Sequence, residues 1–177
     1  MFALQDYFCN KLCGVVLKPI EIIEIKCYNR NNGGECMKIS TKGRYALRMM
    51  ADLAAHSEEG AVALKDIAER QNISKKYLEQ IVPLLNNAGM LRTSRGYQGG
   101  YMLAKDPSEY TVGEILRVTE GNLAPVACLQ CSENTCDMKS KCATLFVWEG
   151  LYDVIVDYLD GISLQDIIDK MPEIVNE

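Results

Sequence analysis

The stretch Leu64-Lys-Asp-Ile-Ala-Glu-Arg-Gln-Asn-Ile-Ser-Lys-Lys-Tyr-Leu-Glu-Gln-Ile-Val82 decides how this chain folds. Leu64 to Arg70 predicts a short helix, and Gln71-Asn72-Ile73 a tight turn. Ser74 is a fresh N-cap for a second helix that carries Leu78, Ile81 and Val82 as its apolar side. Ala68 supplies the small residue where two such helices cross. This helix-turn-helix spacing can set its second helix into a DNA major groove, although many helical hairpins share the pattern.

The flanking sequence sharpens the reading. Upstream, Ser40 caps a helix whose apolar positions Leu47, Met50, Ala51 and Ala54 recur at helical spacing and end near His56. His56, the only histidine, stands beside the turn Ser57-Glu-Glu-Gly60 and reads as a surface helix-end residue, not a ligand. Downstream, Asn86-Asn-Ala-Gly89 stops the second helix, with Gly89 suited to a left-handed cap. Met90 to Ser94 and Tyr101 to Leu103 read as short strands joined by Arg95-Gly-Tyr-Gln-Gly-Gly100. The expected fold is therefore mainly α with a small β-hairpin, a winged helix-turn-helix over residues 37–110. Pro83 is the misfit: it removes a helical hydrogen bond and is expected to kink the second helix.

Charge supports an anionic partner for this half. The chain has a net charge of −5, but residues 37–105 hold 11 Lys/Arg against 6 Asp/Glu, whereas residues 106–177 hold 4 against 14. Ser74, Lys75 and Lys76 are expected to meet phosphates at a helix N-terminus. Tyr77, Glu79 and Gln80 are left near base edges. Glu79 can accept from a cytosine amino group and repel wrong sites. The hairpin tip, Arg95, Gly96, Tyr97 and Gln98, is expected along the backbone or in the minor groove, whose negative potential attracts Arg95.

Residues 111–177 are expected to form a dimerisation region. Leu145, Trp148, Tyr152, Ile155 and Leu159 recur at three-four spacing, with Leu151, Val154 and Tyr158 in an adjoining stripe. That apolar width is too great for one wet face and fits a long helix packed both on its own domain and on a second copy. Gly161 ends it, and Ser163 with Asp166 starts a short final helix. A two-fold dimer implies a palindromic operator.

Within this region, in a loop spanning residues 124–142 ahead of the long helix, lie Cys128, Cys131, Cys136 and Cys142. No apolar run is long enough for a membrane span and no export signal opens the chain, so a cytoplasmic location with reduced thiols is expected. Clustered thiols there favour metal or redox chemistry over disulfides. Only Cys128 and Cys131 have zinc-knuckle spacing. The irregular remainder better suits an iron–sulfur cluster, with zinc or a thiol switch as the alternatives. There is no nucleophile–base pair, phosphate loop or carboxylate dyad, so no enzyme activity is expected.

Residues 1–36 share no periodicity with the rest. Gly33-Gly34-Glu35 can be encoded as a ribosome-binding sequence shortly before Met37, which predicts a mis-assigned start and gives Cys9, Cys13, Cys27 and Cys36 no role.

From Met37 to about Ile168 the chain resembles the Rrf-type winged-helix regulators, with IscR-like, NsrR-like and CymR-like branches. The resemblance rests on Lys38-Ile-Ser-Thr-Lys-Gly-Arg-Tyr-Ala46, Ile73-Ser-Lys-Lys-Tyr-Leu-Glu-Gln80, Arg95-Gly-Tyr-Gln-Gly-Gly-Tyr101 and Lys141-Cys-Ala-Thr-Leu-Phe-Val-Trp148. It implies a homodimeric repressor or dual regulator of cluster-biogenesis or cysteine and sulfur genes, binding palindromic double-stranded DNA under control of an oxygen-labile cluster. It also implies DNA contacts for Glu79 and Arg95, and protein partners from cluster biogenesis or cysteine synthesis. Cys136 and Cys142 match the second and third cluster ligands, and Cys128 after Pro125-Val-Ala is preferred as the first. The fourth-ligand positions of IscR-like and NsrR-like members fall on Leu145 and Arg44, leaving Cys131 as the fourth candidate. A [2Fe–2S] cluster is favoured over [4Fe–4S]. The competing expectations are a cluster-free CymR-like regulator and, from another class, an iron–sulfur electron carrier.

Overall fold

The computed structural model describes residues 39–96, 99–130, 134 and 136–175. The proposed extension, Tyr97, Gln98 and Cys131 lie outside the described residues. The elements run α1 (Thr41–Ala55), α2 (Leu64–Arg70), α3 (Lys75–Asn87), β1 (Leu91–Ser94), β2 (Gly100–Leu103), α4 (Val112–Glu120), α5 (Leu145–Asp160) and α6 (Leu164–Val175). This is the expected helical fold with a two-stranded antiparallel sheet. Among the described residues no helix is long and apolar enough to cross a membrane.

Ser40 caps α1 as its sequence position requires: its Oγ accepts from the Lys42 and Gly43 N–H groups. The same hydroxyl donates to Glu120 at 2.8 Å, fastening the start of α1 to the end of α4. Ala46, Met49, Met50, Ala51, Leu53 and Ala54 are all buried, so α1 is enclosed on more sides than its expected apolar stripe. It packs against α4, α6, α3, α2 and β2, which makes it the central helix of the fold.

One charged residue is buried with it. Asp52 is 2% exposed and lies in a fork with Arg70 of α2, while Gln71 Nε2 adds a third bond at 2.9 Å. Such a pair is tolerated because both carboxylate oxygens are occupied. The helix-turn-helix turn is thereby anchored to the core. Asn72 supplies the left-handed residue of that turn (φ 49°), and the Ile73 N–H closes it on the Ala68 carbonyl at 3.0 Å. Ser74 caps α3 by accepting from the Tyr77 N–H. α3 continues through Pro83 to Asn87. The bond Pro83 removes would have ended on the Glu79 carbonyl, and both residues are exposed, so solvent can satisfy that oxygen. Gly89 takes the expected left-handed conformation, φ 71°.

The strands pair Leu91 with Leu103 through to Ser94 with Gly100. A separate rung on the other edge of β2 was not expected: Val62 and Tyr101 exchange backbone bonds of 3.0 and 2.9 Å. Gly100 permits it, since a Cβ there would stand 2.3 Å from the Val62 carbonyl oxygen. The base of the hairpin is pinned by buried Tyr110, whose hydroxyl accepts from the Ala104 and Lys105 N–H groups and donates to the Met90 carbonyl, all within 2.9 Å.

α4 buries Val112 and Leu116 with Leu123 against Tyr152, Ile155 and Leu159 of α5. Arg117 of α4 forms a fork with Asp160, and Gly113 leaves no room for a Cβ beside that carboxylate. Ser163 and Asp166 cap α6 reciprocally, as expected. Its Leu164, fully buried, ties back through its N–H to the Tyr110 carbonyl.

Candidate nucleic-acid interface and thiol loop

The start of α3 and the hairpin lie on the two sides of one cleft of about 440 Å³, lined by Lys65, Lys75, Glu79, Thr93, Ser94 and Gly96 among others. Ser74, Lys75, Lys76, Glu79 and Gln80 are exposed, as are Arg95 and Gly96. Lys75 Nζ stands 3.4 Å from Glu79 Oε1, one helical turn away. The two side chains read as phosphate-binding and base-reading are thus partners in the free protein.

Tyr77 differs from the others in this set. It is half-buried, with its ring edge-on to Tyr45 at 5.2 Å, and Arg48 lies over the Tyr45 ring at 5.7 Å. This stack joins the first turn of α3 to α1. Lys65, Thr93 and Ser94 face the same cleft and were not singled out in the sequence. Lys65 sits in the first turn of α2, where the amphipathic pattern gave only an exposed polar position.

The thiol loop leaves α4 at Glu120 and enters α5 at Leu145. Its start is fixed by Asn122, which donates to the Gln130 carbonyl at 2.6 Å and accepts from the Ala124 N–H. Cys128 lies in a 3-10 turn, Ala127–Leu129, and Cys142 closes another, Lys139–Lys141. Cys128, Cys136 and Cys142 are free thiols, with Cys136 exposed and the other two half-buried. The Cys142 carbonyl accepts from the Leu145 N–H at 3.3 Å, so this cysteine stands at the threshold of α5. The Thr144 hydroxyl, 3.6 Å from Cys142 Sγ, with help from the Thr144 and Leu145 backbone, holds the thiol below its ordinary pKa. That favours the thiolate, the form that ligates metals and attacks electrophiles.

Among the described residues, no three cysteine, histidine or carboxylate side chains converge to hold a metal ion. Thiols are the donor type that a thiolate-bound centre needs, but the described thiols are not gathered around a common point. Leu145 opens α5 with no donor atom, and Arg44 instead bonds Thr41 on α1. Among the described residues of the loop, one buried side-chain polar atom lacks a partner. Asn134 Oδ1 accepts from the Cys136 N–H at 3.0 Å, while its Nδ2 is buried with no hydrogen bond among the described residues.

Of the residues read as a dimer seam, Tyr152, Ile155 and Leu159 face this chain's own α4. The outward face of α5 carries Phe146 (73% exposed), Val147, Trp148, Leu151, Val154 (65%) and Tyr158 (68%). This is mostly the adjoining stripe and the start of the helix.

Residues 39–170 match the Rrf2 family, described as an iron-dependent transcriptional regulator. The chain is 42% identical over 131 residues to the transcriptional regulator CymR of Bacillus subtilis, covering 74% of this chain and 89% of CymR. The solved CymR structure, that of a global cysteine regulator, aligns at a TM-score of 0.63 over 76% of this chain and 98% of its own, with 40% identity. The regulator IscR of Pectobacterium atrosepticum is 37% identical over 140 residues, 79% of this chain and 84% of IscR. The solved IscR of T. potens aligns at a TM-score of 0.59 with 42% identity, over 75% of this chain and 87% of that one. CymR and the Pectobacterium IscR are both named as transcriptional regulators. With its helix-turn-helix, its wing and this match across most of its length, the chain belongs to the Rrf2 family of DNA-binding transcriptional regulators.

Proposed function

We propose that this regulator is a homodimeric repressor whose grip on a palindromic operator depends on an iron–sulfur cluster held by Cys128, Cys136 and Cys142, with Cys131 as fourth ligand. The observation that carries the reading is the continuity at Cys142. The last thiol of the loop leads directly into α5, whose outward apolar face is the candidate subunit contact. Fixing the loop sulfurs at one centre would also fix the first turn of α5. In a two-fold dimer, the position of α5 sets the separation of the two α3 helices. When bound, such a centre supplies a redox- and oxygen-labile constraint on the loop.

In the reading half, Lys75, Lys76 and the α3 N-terminus bind phosphates, Arg95 and the wing tip engage the backbone or minor groove, and Glu79 with Gln80 tests base edges. Cluster-biogenesis or cysteine and sulfur genes are the proposed targets, given the likeness to IscR and CymR. Anaerobic purification with visible absorption and iron and sulfide assays tests the cluster. Matching iron and sulfide with a visible chromophore is expected, and a colourless protein contradicts it.

A second reading has its own support. The described thiols do not converge, and the chain is 42% identical to CymR. A cluster-free regulator would use the thiols themselves, or a partner protein, to change the dimer. It predicts iron-free protein whose operator affinity still falls on oxidation with peroxide and recovers with dithiothreitol.

A further inference from the structure

We infer that Lys75 is a specificity-setting residue that acts through Glu79: its ammonium is an alternative partner for that carboxylate and blunts the penalty Glu79 places on wrong bases. This rests on the DNA-reading role of α3 given above. Lys75 Nζ stands 3.4 Å from Glu79 Oε1 across one turn of α3. Among the described residues, Glu79 is the only carboxylate lining the cleft between α3 and the wing, where Lys65 and Lys75 supply the cations. The two side chains of the pair are 57% and 53% exposed, so water screens their attraction. A cation one turn before an anion is also the weaker order on a helix. Lys75 sits in the first turn of α3, where the helix dipole opposes its charge. The pair is therefore easily parted.

Parting it has different consequences at different sites. Where the facing base is cytosine, its amino group donates to Glu79, and Lys75 is free to serve a phosphate. Where the base presents an acceptor instead, the carboxylate has no donor on the DNA, and turning back to Lys75 relieves it. Discrimination is then smaller than Glu79 alone would impose. Removing the cation takes away a phosphate contact at every site, but the relief only at wrong ones. The weaker binder is thus the more selective one.

The test uses the full chain and a palindromic duplex selected from a randomised pool by the wild type under anaerobic conditions. Each C·G pair is changed in turn to T·A in both half-sites. Fluorescence anisotropy gives Kd for wild type, Lys75→Ala, Glu79→Ala and the double variant. The position at which Glu79→Ala loses discrimination identifies the base that Glu79 reads. There, Lys75→Ala is expected to bind both duplexes more weakly, yet to raise the ratio of mutated to selected Kd by about two- to fivefold. The double variant is expected to keep the ratio of Glu79→Ala. An unchanged ratio in Lys75→Ala, or an equal rise with Glu79 absent, makes Lys75 a phosphate contact alone. Either result overturns the inference and leaves the reading role of Glu79 standing. If Glu79→Ala loses discrimination at no position, or the wild type selects no duplex, the reading role fails and the inference with it.

Discussion

Arg70 and Asp52 meet in a fork, Nε to Oδ1 at 3.0 Å and Nη2 to Oδ2 at 2.6 Å, with the carboxylate inside the core and the guanidinium at its edge. This pair fixes α2 to α1, and Gln71 extends it to the turn that aims α3. Arg48 also donates to Gln71, so the turn is held from two positions on α1.

Arg70→Leu is therefore expected to destabilise the fold by about 3–5 kcal/mol, because it strands a buried carboxylate. Urea unfolding followed by circular dichroism measures it. Replacing Asp52 and Arg70 together with apolar residues should cost clearly less than Arg70→Leu alone. Equal losses would mean that the fork contributes packing only.

Tyr110→Phe keeps the ring and removes one hydroxyl: the Ala104 N–H and the Met90 carbonyl keep their bond to each other at 3.1 Å, whereas the Lys105 N–H loses the Tyr110 oxygen. A loss of about 1–3 kcal/mol is expected. Hydrogen exchange should rise selectively at Lys105, at the base of the wing. Uniform or unchanged exchange would remove Tyr110 as the wing's anchor.

At the interface, Arg95→Ala is expected to weaken operator binding. Lys75→Ala should reduce the salt dependence of affinity by about one counterion. Glu79→Ala should bind less selectively, with tighter binding to mismatched sites, because it removes a repulsive group. Binding curves at several salt concentrations on matched and mutated duplexes separate these effects. Wild-type behaviour in all three variants would move the DNA contact elsewhere.

The helix ends that position this site were legible from residue types alone. Ser40, Ser74 and Gly89 act within a few residues of themselves, so capping rules locate them directly. The partners of Asp52 lie 18 and 19 residues away, and an aspartate on an amphipathic helix reads as solvent-facing until the packing is known. The Val62 rung is a single residue long and carries no strand pattern. On α5 the width of the apolar surface was readable, but the inward choice of Tyr152, Ile155 and Leu159 is made by packing on Val112, Leu116 and Leu123, which a helix pattern alone does not show. The loop thiols were visible as a cluster in sequence; their spatial relation depends on a segment whose own residues carry no periodicity.

The same division yields a prediction for assembly. Val154→Glu places a charge on the outward face of α5, whereas Ile155→Glu would damage the α4 contact. Val154→Glu is expected to give folded monomer by sedimentation, with near-native thermal stability of the winged half and weakened operator binding. A folded Val154→Glu dimer would place the subunit contact on another surface.

The most direct test of the account is operator affinity, measured by fluorescence anisotropy under strict anaerobiosis, for loaded protein, for the same sample after air exposure and chelation, and for a variant with serine at Cys128, Cys131, Cys136 and Cys142. A difference of about tenfold between loaded and stripped protein is expected, within the usual range of coupling between two sites, with the serine variant fixed at the stripped value in both atmospheres. Identical affinity across all the samples would contradict it.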